Sequence, residues 1–164
     1  MGVDEAVAAK GDGGGEMPLD DLRKGRYSEA GRAYHVTTVV AHRRPVFLDF
    51  WAGRMLVAEM KRLQDEGVVE SLAFVVMLEH LHWLFVLRGA LSLSQVMQRL
   101  KGRSARRLAE LTGYRPFWQK GFFDHAVRRE EDLCAIGRYI VANPLRRRLA
   151  DKVGDYALWD AVWV

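Results

Sequence analysis

Apolar and polar positions follow two different periods from Leu22 onward. The stretch "YHVTTVVAH", Tyr34 to His42, is rich in β-branched residues and reads as a strand, with Pro45 marking the turn after it. In "FLDFWAGRMLVAEMKRLQDEG" the residues Ala52, Leu56, Met60 and Leu63 fall three or four apart. That spacing predicts an amphipathic helix stopping at Gly67, where a C-terminal cap favours glycine. "SLAFVVMLEHLHWLFVLRG" is too apolar for a surface loop and long enough for two strands joined by a tight turn near Leu78 and Glu79. Ser92 and Gln95 can form a capping box opening a second helix, with the stripe Leu93, Met97, Leu100, Leu108 and Leu111. After "GYRP", the stretch "FWQKGFFDHAVR" reads as a strand or hairpin. "EEDLCAIGRYIVANP" reads as a final helix, with Glu130, Glu131 and Asp132 in its first turn, Leu133, Ile136 and Ile140 as its buried stripe and Pro144 at its end. The predicted order is strand, helix, two strands, helix, strand, helix.

The start of the chain is different. Residues 1–21, "MGVDEAVAAKGDGGGEMPLDD", hold six acids against Lys10 and few large apolar residues, so they are expected to form a disordered acidic, Gly-rich tail ahead of a single domain over residues 22–164. The net charge of +4 therefore divides into −5 on the tail and +9 on the rest. A folded part this basic points to a polyanionic partner. Among its cations, Arg99, Arg103 and Arg106 are expected on the side of the second helix opposite its apolar stripe, with Lys101 and Arg107 flanking. No acid interrupts this run, and a phosphate backbone is the matching partner. No run of eighteen apolar residues and no signal-peptide pattern is present, so the expectation is a cytoplasmic protein without a membrane partner. The one cysteine, Cys134, excludes an internal disulfide and a cysteine-rich zinc site.

Two features carry candidate chemistry. In "EHLHWLF" the alternation of a strand sends His80 and His82 to one face and Leu81 and Trp83 to the other. A lone strand histidine is commonly just a hydrogen-bonded, partly buried residue. Two imidazoles on one face are candidate metal ligands that still need a third. In the last helix Tyr139 and Asn143 lie four apart, placing a phenol and an amide on one line at the edge of the apolar stripe. Each has an ordinary alternative, a half-buried aromatic and a cap before proline.

The combination of "VVMLEHLHWLF", "WQKGFFDHAVRREEDL" and "YIVANPLRRRLA", together with "GRYSEAGRAYHVTTVVAHRRPVF", resembles the REP-associated tyrosine transposases, a branch of the single-tyrosine HUH transposases. The likeness covers roughly residues 22–164. It implies an α+β fold, a central antiparallel sheet with helices packed on it (the ferredoxin-like HUH endonuclease fold). It also implies that His80, His82 and Asn143 hold Mg²⁺ or Mn²⁺ and that Tyr139 is the nucleophile. The chain departs from the family pattern in one place: Leu78 and Glu79 stand where members carry Pro and Asn or Asp, and strand parity argues against Glu79 as a ligand.

The activity implied is metal-dependent cutting and strand transfer of single-stranded DNA at hairpin-forming repeats through a 5′-phosphotyrosine, by a monomer or homodimer. A neighbouring cation such as Arg138 would favour the phenolate as it forms. The alternative is a catalytically inactive hairpin-binding domain derived from such an enzyme. Candidate DNA contacts are Arg26, Tyr27, Arg43, Arg44, Arg99, Lys101, Arg103, Arg106, Arg107 and Arg146, the last within a run reaching Arg148, with Tyr27, Trp83 and Trp118 as possible base-stacking aromatics.

Overall fold

A computed structural model describes residues 28–128 and 131–163. The expectations for the tail and for Arg26, Tyr27 and Glu130 lie outside the described residues. Five strands form one antiparallel sheet: β1 (Ala33–Val39), β2 (Val69–Val76), β3 (His80–Leu87), β4 (Phe123–Ala126) and β5 (Trp159–Ala161). Their order across the sheet is β4-β1-β3-β2-β5. Helix α1 (Phe50–Asp65) joins β1 to β2, and α2 (Leu93–Thr112) joins β3 to β4. A third helix, α3 (Leu133–Val141), runs straight into the short α4 (Asn143–Arg146). The first four strands and two helices thus make the β-α-β-β-α-β unit of the ferredoxin-like class.

Local chemistry explains most boundaries. Asp49 caps α1 by accepting from the Trp51 and Ala52 amides. At its other end Gly67 takes φ +73, and the amides of Gly67 and Val68 close on the Gln64 and Leu63 carbonyls as a Schellman motif does. The Ser92–Gln95 capping box forms as the sequence indicates. β2 and β3 are joined through the short turn at Leu78 and Glu79, with the Met77 amide donating to the His80 carbonyl at 2.8 Å.

The sheet separates two apolar clusters. Leu81, Trp83, Phe85 and Leu87 of β3 face α1 and α2, where Ala52, Leu56, Met60, Leu63, Leu93, Met97, Leu100 and Leu108 complete the larger core. Leu84 faces the other way, with Val75 of β2 and Ile140 and Val141 of α3. Several expectations need correction. Leu111 lies in the last turn of α2 beyond the sheet and is exposed. The strand from Tyr34 stops at Val39 because a 3-10 turn, Ala41–Arg43, follows, with His42 and Arg43 at positive φ. Asp132 caps α3 from outside rather than occupying its first turn. Pro144 lies in the first turn of α4 just after Asn143, where its preset φ and missing amide proton are tolerated, and α3 is not the last element. β5, whose three residues are too few to show a period, pairs with β2 near the end of the chain.

Candidate active site

β3 starts at His80, so its pleat turns His80 and His82 toward the face that α3 covers. Both rings are buried, at 3% and 1% exposure. Their Nε2 atoms stand 3.1 Å apart. That is about the separation of two adjacent ligands each about 2.1 Å from an octahedral ion.

The outer nitrogens are also held. His80 Nδ1 lies 3.0 Å from Glu79 Oε1, and the Glu79 carboxylate lies 3.8 Å from Arg43 Nη1. Glu79 is thereby kept charged, its pKa lowered first by the hydrogen bond from His80 and then by the positive charges around it, His80, Arg147 and Arg43, against an opposing effect of burial. His82 Nδ1 lies 2.9 Å from Thr37 Oγ1 and 3.2 Å from His35 Nε2, both supplied by β1, where Thr37 is the register partner of His82. Burial holds His82 well below the usual histidine range, helped by the charges of His80, His35, Arg146 and Arg147. A neutral imidazole whose Nδ1 proton is engaged presents Nε2 as a lone pair, which is the form a metal requires.

Asn143 opens α4 and is 1% exposed. Its Nδ2 donates to the Ile140 carbonyl at 3.1 Å, whereas its buried Oδ1 has no hydrogen-bond partner. An orphaned buried acceptor is costly, and a cation satisfies it. Among the described residues no group of three or more His, Cys, Asp or Glu can hold a metal. A shell built on the histidine pair would need an oxygen of another kind, and the buried, unpartnered Asn143 Oδ1 has the chemistry for it. Tyr139 sits half-buried one turn earlier on α3. Arg146 places its guanidinium over the phenol ring, 3.8 Å from the centroid, and donates to the Tyr139 carbonyl. The cation against the ring is thus Arg146, whereas Arg138 is exposed on the helix surface.

The basic residues divide into groups. Arg99, Arg103 and Arg107 recur every four residues, so they form one row along α2 facing α1. There Arg99 and Arg103 pair with Glu66, and Arg107 with buried Glu59. Lys101 donates to the Gln119 and Gly121 carbonyls. Arg106 lines a cleft of about 430 Å³ with Tyr114, Arg115 and Phe117, and Arg44 stacks on the Tyr114 ring. One uniform basic face is therefore not what α2 presents. Arg43 and Arg146 are the predicted cations brought to the histidine and tyrosine groups. Trp83 and Trp118 are buried in the core, their indole N–H groups donating to Ser71 and Ser104, so neither is available to a base. Sequence reasoning missed Thr37, His35 and the orienting role of Glu79. The alternation of His35 and Thr37 on a strand was visible, but their pairing with His82 depends on register.

The family model described as "Transposase IS200 like" matches residues 30–143, well over half of the chain, and the chain belongs to that family. It is an α+β enzyme of the single-tyrosine HUH transposase class. The REP-associated tyrosine transposase of Escherichia coli (strain K12) is 26% identical over 132 residues, spanning 80% of this chain and 77% of that protein. A solved structure of a REP-associated tyrosine transposase bound to a REP hairpin superposes with a TM-score of 0.69 at 25% identity, covering 82% of this chain and 79% of that one. A protein of Deinococcus radiodurans R1 solved as a candidate transposase shares the fold, with a TM-score of 0.52, 23% identity and coverage of 71% and 94%. Among the described residues no helix is long and apolar enough to cross a membrane.

Proposed function

We propose that this transposase cuts and rejoins single-stranded DNA beside hairpin-forming repeats, with Tyr139 as nucleophile and with Mg²⁺ or Mn²⁺ held by His80, His82 and Asn143. The observation that carries this reading is the convergence of the two Nε2 atoms at 3.1 Å. The unpartnered Asn143 Oδ1 supports it, on a segment whose neighbouring Arg146 and Arg147 act electrostatically on His82. The hairpin carried by the solved REP-associated relative supports the substrate class.

A bound divalent cation supplies charge withdrawal from the scissile phosphodiester and orients it. Tyr139 Oη attacks phosphorus; the O–P bond to the phenol forms as the bond to the upstream 3′-oxygen breaks. The phenol proton is released, the departing oxygen takes one up as a 3′-hydroxyl, and the 5′ phosphate stays on the protein. Attack by a 3′-hydroxyl reverses the exchange, so rejoining needs no external energy source. Arg146, lying against the ring, offers a counter-charge to the phenolate that leaves in that direction. Glu79 and Thr37 hold the imidazoles in the tautomers that leave Nε2 free. Arg43, Arg44, Arg106 and Arg146 are the cations we assign to DNA phosphates, with a further share from the partly exposed Arg99, Arg103 and Arg107. We assign the work to the cytoplasm and to a monomer or homodimer.

The test is incubation with end-labelled hairpin DNA carrying single-stranded flanks and Mn²⁺, read on a denaturing gel. Wild type should give a protein-linked fragment that Tyr139→Phe abolishes. His80→Ala and His82→Ala should lose cutting while keeping most DNA binding. Cutting by Tyr139→Phe at the wild-type level refutes the nucleophile. Wild-type binding with no linked product leaves the non-catalytic hairpin binder as the reading.

A further inference from the structure

At the start of α1 three large apolar side chains stand in solvent: Leu48 is 69% exposed, Phe50 44% and Trp51 71%. The Phe50 and Trp51 rings meet edge-on with centroids 5.3 Å apart. They are outside because the buried stripe of α1 begins at Ala52, while the Asp49 cap fixes the helix start immediately before Phe50. This projection is tied to the candidate active site. The Phe47 amide donates to the Leu78 carbonyl at 3.0 Å, two residues before His80, and the Val40 amide donates to the Glu79 carbonyl at 2.8 Å. Two cations accompany these elements: Arg43, in the 3-10 turn before them, reaches the Glu79 carboxylate, and Arg54 is exposed one helical turn after Phe50. Asp49, the acid among these residues, accepts hydrogen bonds from backbone amides.

We infer that Leu48, Phe50 and Trp51 form a stacking platform for unpaired bases of the DNA strand entering the His80–His82 site. This rests on the reading above that the substrate is single-stranded DNA. Aromatic faces beside cations suit a chain that offers π-faces and phosphates alternately. A second copy packed on the same patch about a two-fold axis would gather both copies' Arg43 and Arg54 into one interface, and that excess of like charge opposes it.

The experiment measures binding of fluorescein-labelled oligo(dT) by anisotropy in EDTA, so that neither a metal nor cleavage contributes. Trp51→Ala should weaken binding roughly 5- to 150-fold, the range for losing one stacked base. Trp51→Phe should retain most of the affinity, and a blunt, fully paired duplex should bind both variants as it binds wild type. Because Trp51 is exposed, thermal melting should be unchanged. Wild-type affinity in Trp51→Ala overturns the platform, as does a complete lack of oligo(dT) binding by wild type or an equal loss for the duplex. A wild-type dimer in sedimentation that Trp51→Ala dissociates with oligo(dT) affinity intact also overturns it and makes the patch a self-interface. Trp51-dependent oligo(dT) binding by a protein that never forms the Tyr139 linkage removes the nuclease reading and leaves the platform standing.

Discussion

Glu79→Ala removes the acceptor that holds His80 Nδ1 at 3.0 Å. His80 is buried, so an Nδ1 proton left without a partner costs about 1–3 kcal/mol. The ring has a cheaper option, which is to move that proton to Nε2 and donate it to His82 Nε2 at 3.1 Å. A cation must then displace the proton before His80 can serve as a ligand. Loss of such an outer partner typically lowers metal affinity about 10- to 100-fold, or about 1.4–2.7 kcal/mol. Glu79→Gln keeps a neutral acceptor for the same proton and should lose less. The ion pair to Arg43 is 3.8 Å long and partly exposed, so its loss adds little. Mn²⁺ titration followed by electron paramagnetic resonance of the free ion reads the affinity without DNA or turnover. If Glu79→Ala binds Mn²⁺ as tightly as wild type while His80→Ala loses it, the orienting role of Glu79 is wrong. If His80→Ala also binds normally, the ligand pair itself is wrong.

Gly137→Ala puts a methyl group 2.7 Å from Trp163 Cζ3 and 3.4 Å from Ala73 Cβ, so α3 must lift from the sheet or the indole must move. The expected cost is about 1–3 kcal/mol, outweighing the gain in helix propensity, and urea unfolding midpoints measure it. Tyr156 donates to the Val76 carbonyl at 2.6 Å, and burial, then the charge of Glu79, pushes its pKa up from 10.0 to about 12. A folded value above the unfolded one means that its contribution is fully present below pH 10.0 and is lost as pH rises through about 12. Tyr156→Phe should therefore flatten the alkaline decline of stability while lowering stability at neutral pH by about 1 kcal/mol, because the Val76 carbonyl loses its donor. A steeper alkaline decline in chemical denaturation of the variant contradicts that assignment.

How much was legible from the sequence depends on how local each feature is. The stripe Ala52, Leu56, Met60 and Leu63, the Ser92–Gln95 box, the stop at Gly67 and the turn at Leu78 and Glu79 are all determined by neighbours within a few residues, and the structure has them. The shared face of His80 and His82 follows from the period of a strand in the same way. Trp83 and Trp118 show the limit. Composition marks them as large aromatics, but only the packing of α1 and α2 against the sheet decides that they are core, whereas Phe50 and Trp51 are left in water.

The sequence by itself determined the first four strands and the three long helices in order, the paired imidazoles and the four-residue spacing of Tyr139 and Asn143. Only the tertiary structure decided that Thr37 and His35 hold His82, that Arg146 rather than Arg138 lies over Tyr139, and that Arg99, Arg103 and Arg107 turn to Glu66 and Glu59. The physical reason is distance along the chain. Periods and caps are set by hydrogen bonds and side chains a few residues apart. Strand register and helix docking join residues far apart in the chain, 45 positions for Thr37 and His82 and 37 for Arg103 and Glu66, and are fixed only when the two apolar clusters close on both faces of the sheet, while the Arg146–Tyr139 contact, seven positions long, depends on how α4 leaves α3.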